Sequence, residues 1–233
     1  TETALHAARA VARRHDPEHR SAVSSRLPKA VSLHDLLAPP DQWALEATAV
    51  ARRWLDPERR PRVPIGVGEA GAVTFDLVTD GPHGLIAGTT GAGKSELLRT
   101  IVVGLAAALP PDELNLLLVD FKGGAAFDEC ARLPHSVGVI TDLDEHLAGR
   151  VLRSLRAELI HRERVLRDAQ VSSLDEVSHR GHRAPPLSRL VIVVDEFASL
   201  AAQLPEFLPG VVDIAQRGRS LGVHLLLATQ RPA

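Results

Sequence analysis

Eight consecutive residues, Gly88-Thr89-Thr90-Gly91-Ala92-Gly93-Lys94-Ser95, spell the pattern G-x-x-x-x-G-K-[ST]. Each part of that pattern has its own chemistry. Glycines let backbone N–H groups converge on a β-phosphate, the lysine reaches the β/γ-phosphates, and the hydroxyl after it can bind Mg²⁺. The loop comes after an apolar run, Gly84 to Ala87, and opens a helix-patterned run from Glu96 to Ala108. Anions favour such a helix start, so Gly88 to Glu96 is read as the nucleotide-binding stretch, with Lys94 also catalytic and Ser95 a metal ligand. Lysine is otherwise scarce: only Lys29 and Lys122 accompany Lys94, against many arginines.

A second constellation lies about a hundred residues downstream. Leu190-Val-Ile-Val-Val-Asp195-Glu196 is an apolar strand that delivers Asp195 to its C-terminal end, the edge where ligands of open α/β sheets gather. Asp195 would support a Mg²⁺ shell through water, and Glu196 would orient and polarise the water that attacks a γ-phosphoryl group. Taken alone, the same residues also describe a strand running into a helix cap. Leu225-Leu-Leu-Ala-Thr229-Gln230 ends another apolar strand in a neutral amide suited to sensing the γ-phosphate or its hydrolytic water, with a plain turn as the alternative. Arg217 and Arg219 present guanidiniums near a helix end, the usual group for neutralising phosphoryl charge; from the residues alone, surface ion pairs account for them better. Lys122, in the turn Phe121-Lys-Gly-Gly124, could face phosphate, a neighbouring subunit or solvent.

These groups need a scaffold that brings several strand ends to one edge. Val63 to Val67 and Ala72 to Leu77 read as a hairpin across Gly68 to Gly71. Continuous apolar runs at Gly84 to Gly88, Leu114 to Asp120, Leu190 to Asp195 and Val223 to Thr229, with a shorter one at Val137 to Thr141, suit parallel strands buried on both faces. Helical patterns alternate with them. The longest, Asp144 to Arg167, carries Leu147, Val151, Leu155 and Leu159 on one stripe. Its arginines at 150, 153, 156, 162, 164 and 167 read as a solvated face, or less simply as a face for a subunit or client. Arg180 to Ser188 reads as a loop. The expectation is an α/β fold with a mostly parallel sheet flanked by helices.

Thr1 to Arg20 and Asp41 to Leu55 are Ala/Arg-rich helical stretches, each running into Asp-Pro, and further prolines punctuate the chain as far as Pro64. The core therefore starts near Arg62: residues 1–62 form a mainly helical lead-in and 63–233 the nucleotide-binding domain. With 233 residues, 45% of them hydrophobic and 24% charged, the chain can bury a core without staples. One cysteine, Cys130, excludes an internal disulfide framework and suggests a reducing compartment. His135, His146 and His161 have no ligand spacing and read as ordinary polar residues. A net charge of −2 gives no global field for binding phosphate backbones. No stretch has the apolar length of a membrane span, and Thr1 to Arg20 is no signal peptide. The chain contains no methionine and is expected to be a soluble piece of something longer.

Gly81-Pro-His-Gly-Leu-Ile-Ala-Gly-Thr-Thr-Gly-Ala-Gly-Lys-Ser-Glu-Leu-Leu-Arg-Thr100, Leu116-Leu-Leu-Val-Asp-Phe-Lys-Gly-Gly-Ala-Ala-Phe127, Val191 to Phe197 and Gly218 to Pro232 resemble, in order, the motifs of the FtsK/SpoIIIE motor ATPases. The resemblance covers about Val63 to Pro232. It implies a RecA-like P-loop NTPase core in which the Val223 to Thr229 strand lies between the phosphate-loop strand and the Asp195 strand. It implies ATP and Mg²⁺ as ligands, and a core that continues beyond Arg231-Pro232 by at least one strand. It further implies a hexamer or a row of tandem ATPase domains, with Arg219 reaching a neighbour's ATP site and Arg217 and Arg231 as rival fingers. The lead-in, Arg26-Leu-Pro through Trp43 to Pro64-Ile-Gly-Val-Gly68, and the Asp120-Phe-Lys-Gly-Gly124 turn look like the first ATPase domain of type VII secretion motors of the EccC/EssC kind. That likeness implies the cytoplasmic part of a membrane-anchored bacterial protein, attached through segments outside this chain and acting on a secreted protein client. Two other readings stay open: a double-stranded DNA translocase of the same family, and a nucleotide-binding regulatory module with little turnover.

Overall fold

Five parallel strands form the central sheet, in the order β3 (His83–Ala87), β7 (Val223–Thr229), β6 (Arg189–Asp195), β4 (Leu114–Asp120), β5 (Ser136–Ile140). The structure, a computed structural model, describes residues 27–37, 46–121, 125–141, 144–178 and 187–230. The expected helix at Thr1 to Arg20, residues 41–45 of the second helical stretch, Lys122, most of the Arg180 to Ser188 loop and Arg231 lie outside them.

Strand β6 shows why these runs become a sheet covered on both sides. Alternate side chains point to opposite faces, and both sets are apolar. Leu190, Ile192 and Val194 join one core with helices α4 (Glu145–Asp168), α6 (Phe197–Gln203) and α7 (Phe207–Leu221). Val191 and Val193 join the other, with α3 (Lys94–Ala108), Phe127 and Cys130. The β1 (Arg62–Gly68) and β2 (Gly71–Asp76) hairpin is a separate antiparallel pair, and Val63 packs it onto the α3 side. Strand β2 stops at Asp76 rather than at Leu77, because the Asp76 carboxylate accepts from the N–H groups of Val78 (2.8 Å) and Thr79 (3.1 Å) and bends the chain.

Of the lead-in, α1 (Leu33–Leu37) and α2 (Ala47–Leu55) are described. Trp54 of α2 donates its indole N–H to the Ala106 carbonyl at 3.1 Å. Its ring meets His135 edge-on at 5.6 Å. His135 is thus no ordinary polar residue: it is buried, with Nε2 2.8 Å from the Leu109 carbonyl, and burial depresses its pKa.

Helix α4 corrects two expectations. Asp144 caps it, accepting from Leu147 N–H at 2.7 Å, but the stripe facing the core is Ala148, Leu152, Leu155, Leu159, Arg162 and Leu166. Leu147 and Val151 only flank it. Arg162 therefore leaves the solvated face: it is 3% exposed, donates from Nη1 to the Leu221 carbonyl at 2.8 Å, and pairs through Nε with Glu158 at 2.8 Å. Its long stem runs with the leucines while its guanidinium finds the open end of α7. That end is closed on the other side by Gly222, whose φ of 69° suits the left-handed cap. Gly218 lets α7 meet the next strand, since a Cβ there would stand 2.6 Å from the Val223 carbonyl oxygen. Among the described residues three short pieces complete the fold, 3₁₀ turns at Ala125–Phe127 and Cys130–Arg132 and α5 (Leu174–Ser178). Among the described residues no helix is long and apolar enough to cross a membrane.

Candidate functional site

The phosphate-binding pattern begins where β3 ends. Gly88 already leaves the strand, and its N–H donates to the Thr229 carbonyl at 3.2 Å, tying the loop to the last residue of β7. Gly91 (φ 78°) and Gly93 (φ 85°) take the left-handed conformation, which costs a glycine little and turns the chain directly into α3. The helix starts at Lys94, two residues before its expected start, so Lys94 and Ser95 lie in its first turn. The first-turn N–H groups of a 15-residue helix then face the loop with the positive end of its dipole. Lys94 is 9% exposed, and its ammonium donates to the Thr89 carbonyl at 3.0 Å, within the curve of the loop.

Strands β6 and β7 bring the other groups to this edge. Ser95 Oγ donates to Asp195 Oδ2 at 2.7 Å, joining residues a hundred positions apart. Among the described residues no group of three or more His, Cys, Asp and Glu side chains could hold a metal. A hydroxyl beside a carboxylate, both hard oxygen donors, nonetheless fits a Mg²⁺ ion that takes its remaining ligands from phosphate and water. Glu196 comes next, 8% exposed and with a left-handed backbone (φ 61°, ψ 48°). That conformation is uncommon in a non-glycine residue and costs about 1–3 kcal/mol. Gln230 Nε2 donates to Glu196 Oε2 at 2.5 Å, and Thr90 Oγ1 donates to Gln230 Oε1 at 2.8 Å. Ser199 Oγ adds a longer contact to Glu196 at 3.5 Å.

Sequence reasoning gave no role to Asp120. It is buried at the end of β4, in register with Asp195, and its carboxylate accepts from Ala126 N–H at 3.2 Å. The signal was present, since Asp120 also closes a buried apolar run.

Arg219 is not part of this cluster. It is exposed in the last turn of α7, two residues from the end of the helix. Strand β7 then runs seven residues before reaching the loop edge, about 20 Å at ~3.3 Å per residue. The close approach of His83 Nε2 to the Ala215 carbonyl, 2.8 Å, fixes this part of α7 beside the start of β3. Arg217 is held within its own fold by Glu163 (2.7 Å) and Asp213 (3.4 Å), and the Glu163 pairing raises its pKa. A cleft of about 490 Å³ lined by Arg59, Arg60, Asp76, Asp175 and Arg189 shares no residue with the phosphate loop.

Known proteins resemble this chain in sequence and fold. The FtsK/SpoIIIE family model matches residues 48–233. The ESX-4 secretion system protein EccC4 of Mycobacterium tuberculosis is 48% identical over 184 residues, which is 74% of this chain and 15% of that protein. The cytoplasmic domain of the Thermomonospora curvata type VII secretion ATPase EccC superposes with a TM-score of 0.77 at 40% identity, covering 88% of this chain and 25% of that one. The pCW3 conjugation coupling protein TcpA, solved as a monomer with ATPγS, gives a TM-score of 0.63 at 26% identity over 85% of this chain and 55% of its own. The sheet and its flanking helices are those of a RecA-like P-loop NTPase. The chain spans about 15% of the length of the curated relatives it matches.

Proposed function

The chain belongs to the FtsK/SpoIIIE family, and from that premise we propose that it binds ATP with Mg²⁺ and hydrolyses it as one ATPase domain of a type VII protein-secretion motor. The observation that carries the ATPase reading is the meeting of Ser95, Asp195, Glu196 and Gln230 at the phosphate loop.

In this reading Gly88 to Glu96 wrap the phosphates, with backbone N–H groups on the β-phosphate and the Lys94 ammonium on the β- and γ-oxygens. Ser95 and Asp195 hold the metal's protein side. Mg²⁺, when bound, supplies charge neutralisation at the β- and γ-phosphate oxygens. Glu196 accepts the proton of the attacking water, and the Gln230 amide fixes the carboxylate that receives it. Arg219 stands too far from its own loop to reach the γ-phosphate, so its guanidinium serves the site of an adjacent domain, whether a second copy in a hexamer or the next domain of a tandem row. Residues 1–62 act as the lead-in and 63–233 as the ATPase domain, with α2 docked on α3 through Trp54. The client is a secreted protein, and the domain works in the cytoplasm, anchored to the membrane by parts outside this chain. Identities of 48% and 40% to secretion proteins, against 26% to a conjugation coupling protein, favour secretion over DNA pumping.

The test is Glu196→Gln. It keeps an acceptor for Gln230 and removes the base, so turnover should fall about 10²–10⁴-fold while nucleotide binding persists. Equal rates for the native chain and this variant would leave a regulatory nucleotide-binding module as the better reading.

A further inference from the structure

Thr90 is one of the unspecified positions of the loop pattern, yet its hydroxyl reaches across 140 residues to Gln230 rather than remaining in the loop. Gln230 has two different ends, and the structure uses both. Only its NH₂ group can face the Glu196 carboxylate, since an amide oxygen there would oppose a negative oxygen. That requirement turns Oε1 toward Thr90. With an acceptor opposite it, the Thr90 hydroxyl must be the donor. Every proton in the Thr90–Gln230–Glu196 chain therefore has one direction, at 2.8 Å and 2.5 Å.

The ends of the chain differ in stiffness. Gln230 is the first residue past β7, beyond the strand's hydrogen-bond ladder, and its side chain turns about three bonds. Thr90 is β-branched, with a restricted χ1, and its loop is tied to β7 through Gly88 N–H and the Thr229 carbonyl. A stiff hydroxyl anchors a flexible amide, and that amide holds the carboxylate.

Resting on the ATPase reading above, we infer that Thr90 is a positioning residue, which through Gln230 sets the Glu196 carboxylate for proton transfer and so couples the placement of the phosphate loop to the base. Its contribution is to turnover and not to nucleotide affinity. A threonine that instead touched the nucleotide directly would act on binding.

The experiment compares the native chain with Thr90→Val, Thr90→Ser, Gln230→Leu and the Thr90→Val/Gln230→Leu pair, using Mg-ATP for turnover and Mg-ADP for affinity. Thr90 is exposed and Gln230 half-buried, and neither belongs to the two core clusters, so these changes leave the core intact. Thr90→Val should lower kcat about tenfold or more with KM and Mg-ADP affinity within about twofold, a split that marks loss of transition-state positioning. Thr90→Ser, which keeps the donor, should recover most of that loss. In the Gln230→Leu background Thr90→Val should cost nothing further, because both changes break one chain. Losses that multiply, or a raised KM at unchanged kcat, would overturn the inference. If the native chain turns over no faster than Glu196→Gln, the ATPase reading fails by itself. The same double-mutant cycle read by thermal unfolding in Mg-ADP then decides the contact: non-additive shifts support the relay, and additive shifts reject it.

Discussion

Replacing Arg162 by methionine should destabilise the chain by about 2 kcal/mol, for a reason that lies at the end of another helix. The guanidinium is 3% exposed and gives one hydrogen bond to the Leu221 carbonyl and one to Glu158, each at 2.8 Å. Methionine retains most of the buried stem and removes both donors. Leu221 is itself buried, and a buried carbonyl left without a donor costs about 1–3 kcal/mol. The Glu158 partner is 36% exposed, so water takes over its oxygens and that half contributes little. Desolvation is the leading influence on Arg162 and lowers its pKa, so the cost of burying the charge offsets part of what the two bonds supply. For a chain of this size about 2 kcal/mol corresponds to roughly 4–8 °C in Tm. Calorimetry at fixed Mg-nucleotide concentration reads the shift, since bound ligand itself raises Tm. Arg162→Ala should lose more, having added a cavity, and Glu158→Gln should stay within about 0.5 kcal/mol. A methionine variant as stable as the native chain, or a Glu158 variant as damaged as the arginine one, would refute the capping argument.

Ser95→Ala and Asp195→Asn should each weaken Mg²⁺-dependent nucleotide affinity more than metal-free affinity, checked by titrating a fluorescent nucleotide with and without chelator. Mixing Arg219→Ala with Glu196→Gln should restore part of the turnover that each lacks, because one supplies an intact site and the other an intact finger; no recovery at any ratio would exclude a finger acting between copies of this chain. Burial, with Arg189 next in weight, depresses the His224 pKa to about 4, below its unfolded value of about 6.5. Its stabilising contribution is therefore complete above about pH 6.5 and lost as pH falls from there toward 4. That amounts to about 2 kcal/mol between pH 7 and pH 5, with the depressed His83 and His135 acting in the same direction. Denaturant unfolding at the two pH values checks it, and His224→Leu should flatten the slope.

Strands β4 and β7 were legible to the residue, because a mostly apolar run, interrupted only by Asn115 in one and His224 in the other, has few other places to go in a sheet covered on both faces. The loop was legible because its glycines are required by backbone geometry. Arg162 was not: residue type says solvent, and only the packing of α4 on α7 shows that a guanidinium is needed at a helix end. The stripe on α4 was misplaced for a related reason, since Ala148 and Leu152 compete with Leu147 and Val151 at nearly the same spacing. Within the site, apolar strand endings located Asp195, Glu196 and Gln230 at one edge. Which of them would touch could not be read, because the Thr90–Gln230 and Ser95–Asp195 contacts depend on strand order and register across a hundred residues or more. The left-handed backbone of Glu196 left no trace in composition either.

Arg219 and the phosphate loop lie at opposite ends of β7, so the proposed role of Arg219 at an adjacent site would give each domain one donating end and one receiving end. Two copies related by a twofold axis would satisfy both ends only by lying antiparallel, with one shared patch about 20 Å long that contains finger and loop at once. Head-to-tail stacking satisfies them, but any finite row leaves its first loop without a finger and its last finger without a loop. Only closing the row into a ring removes that asymmetry, so a row that stays open contains one site chemically unlike the others even when every domain has the same sequence.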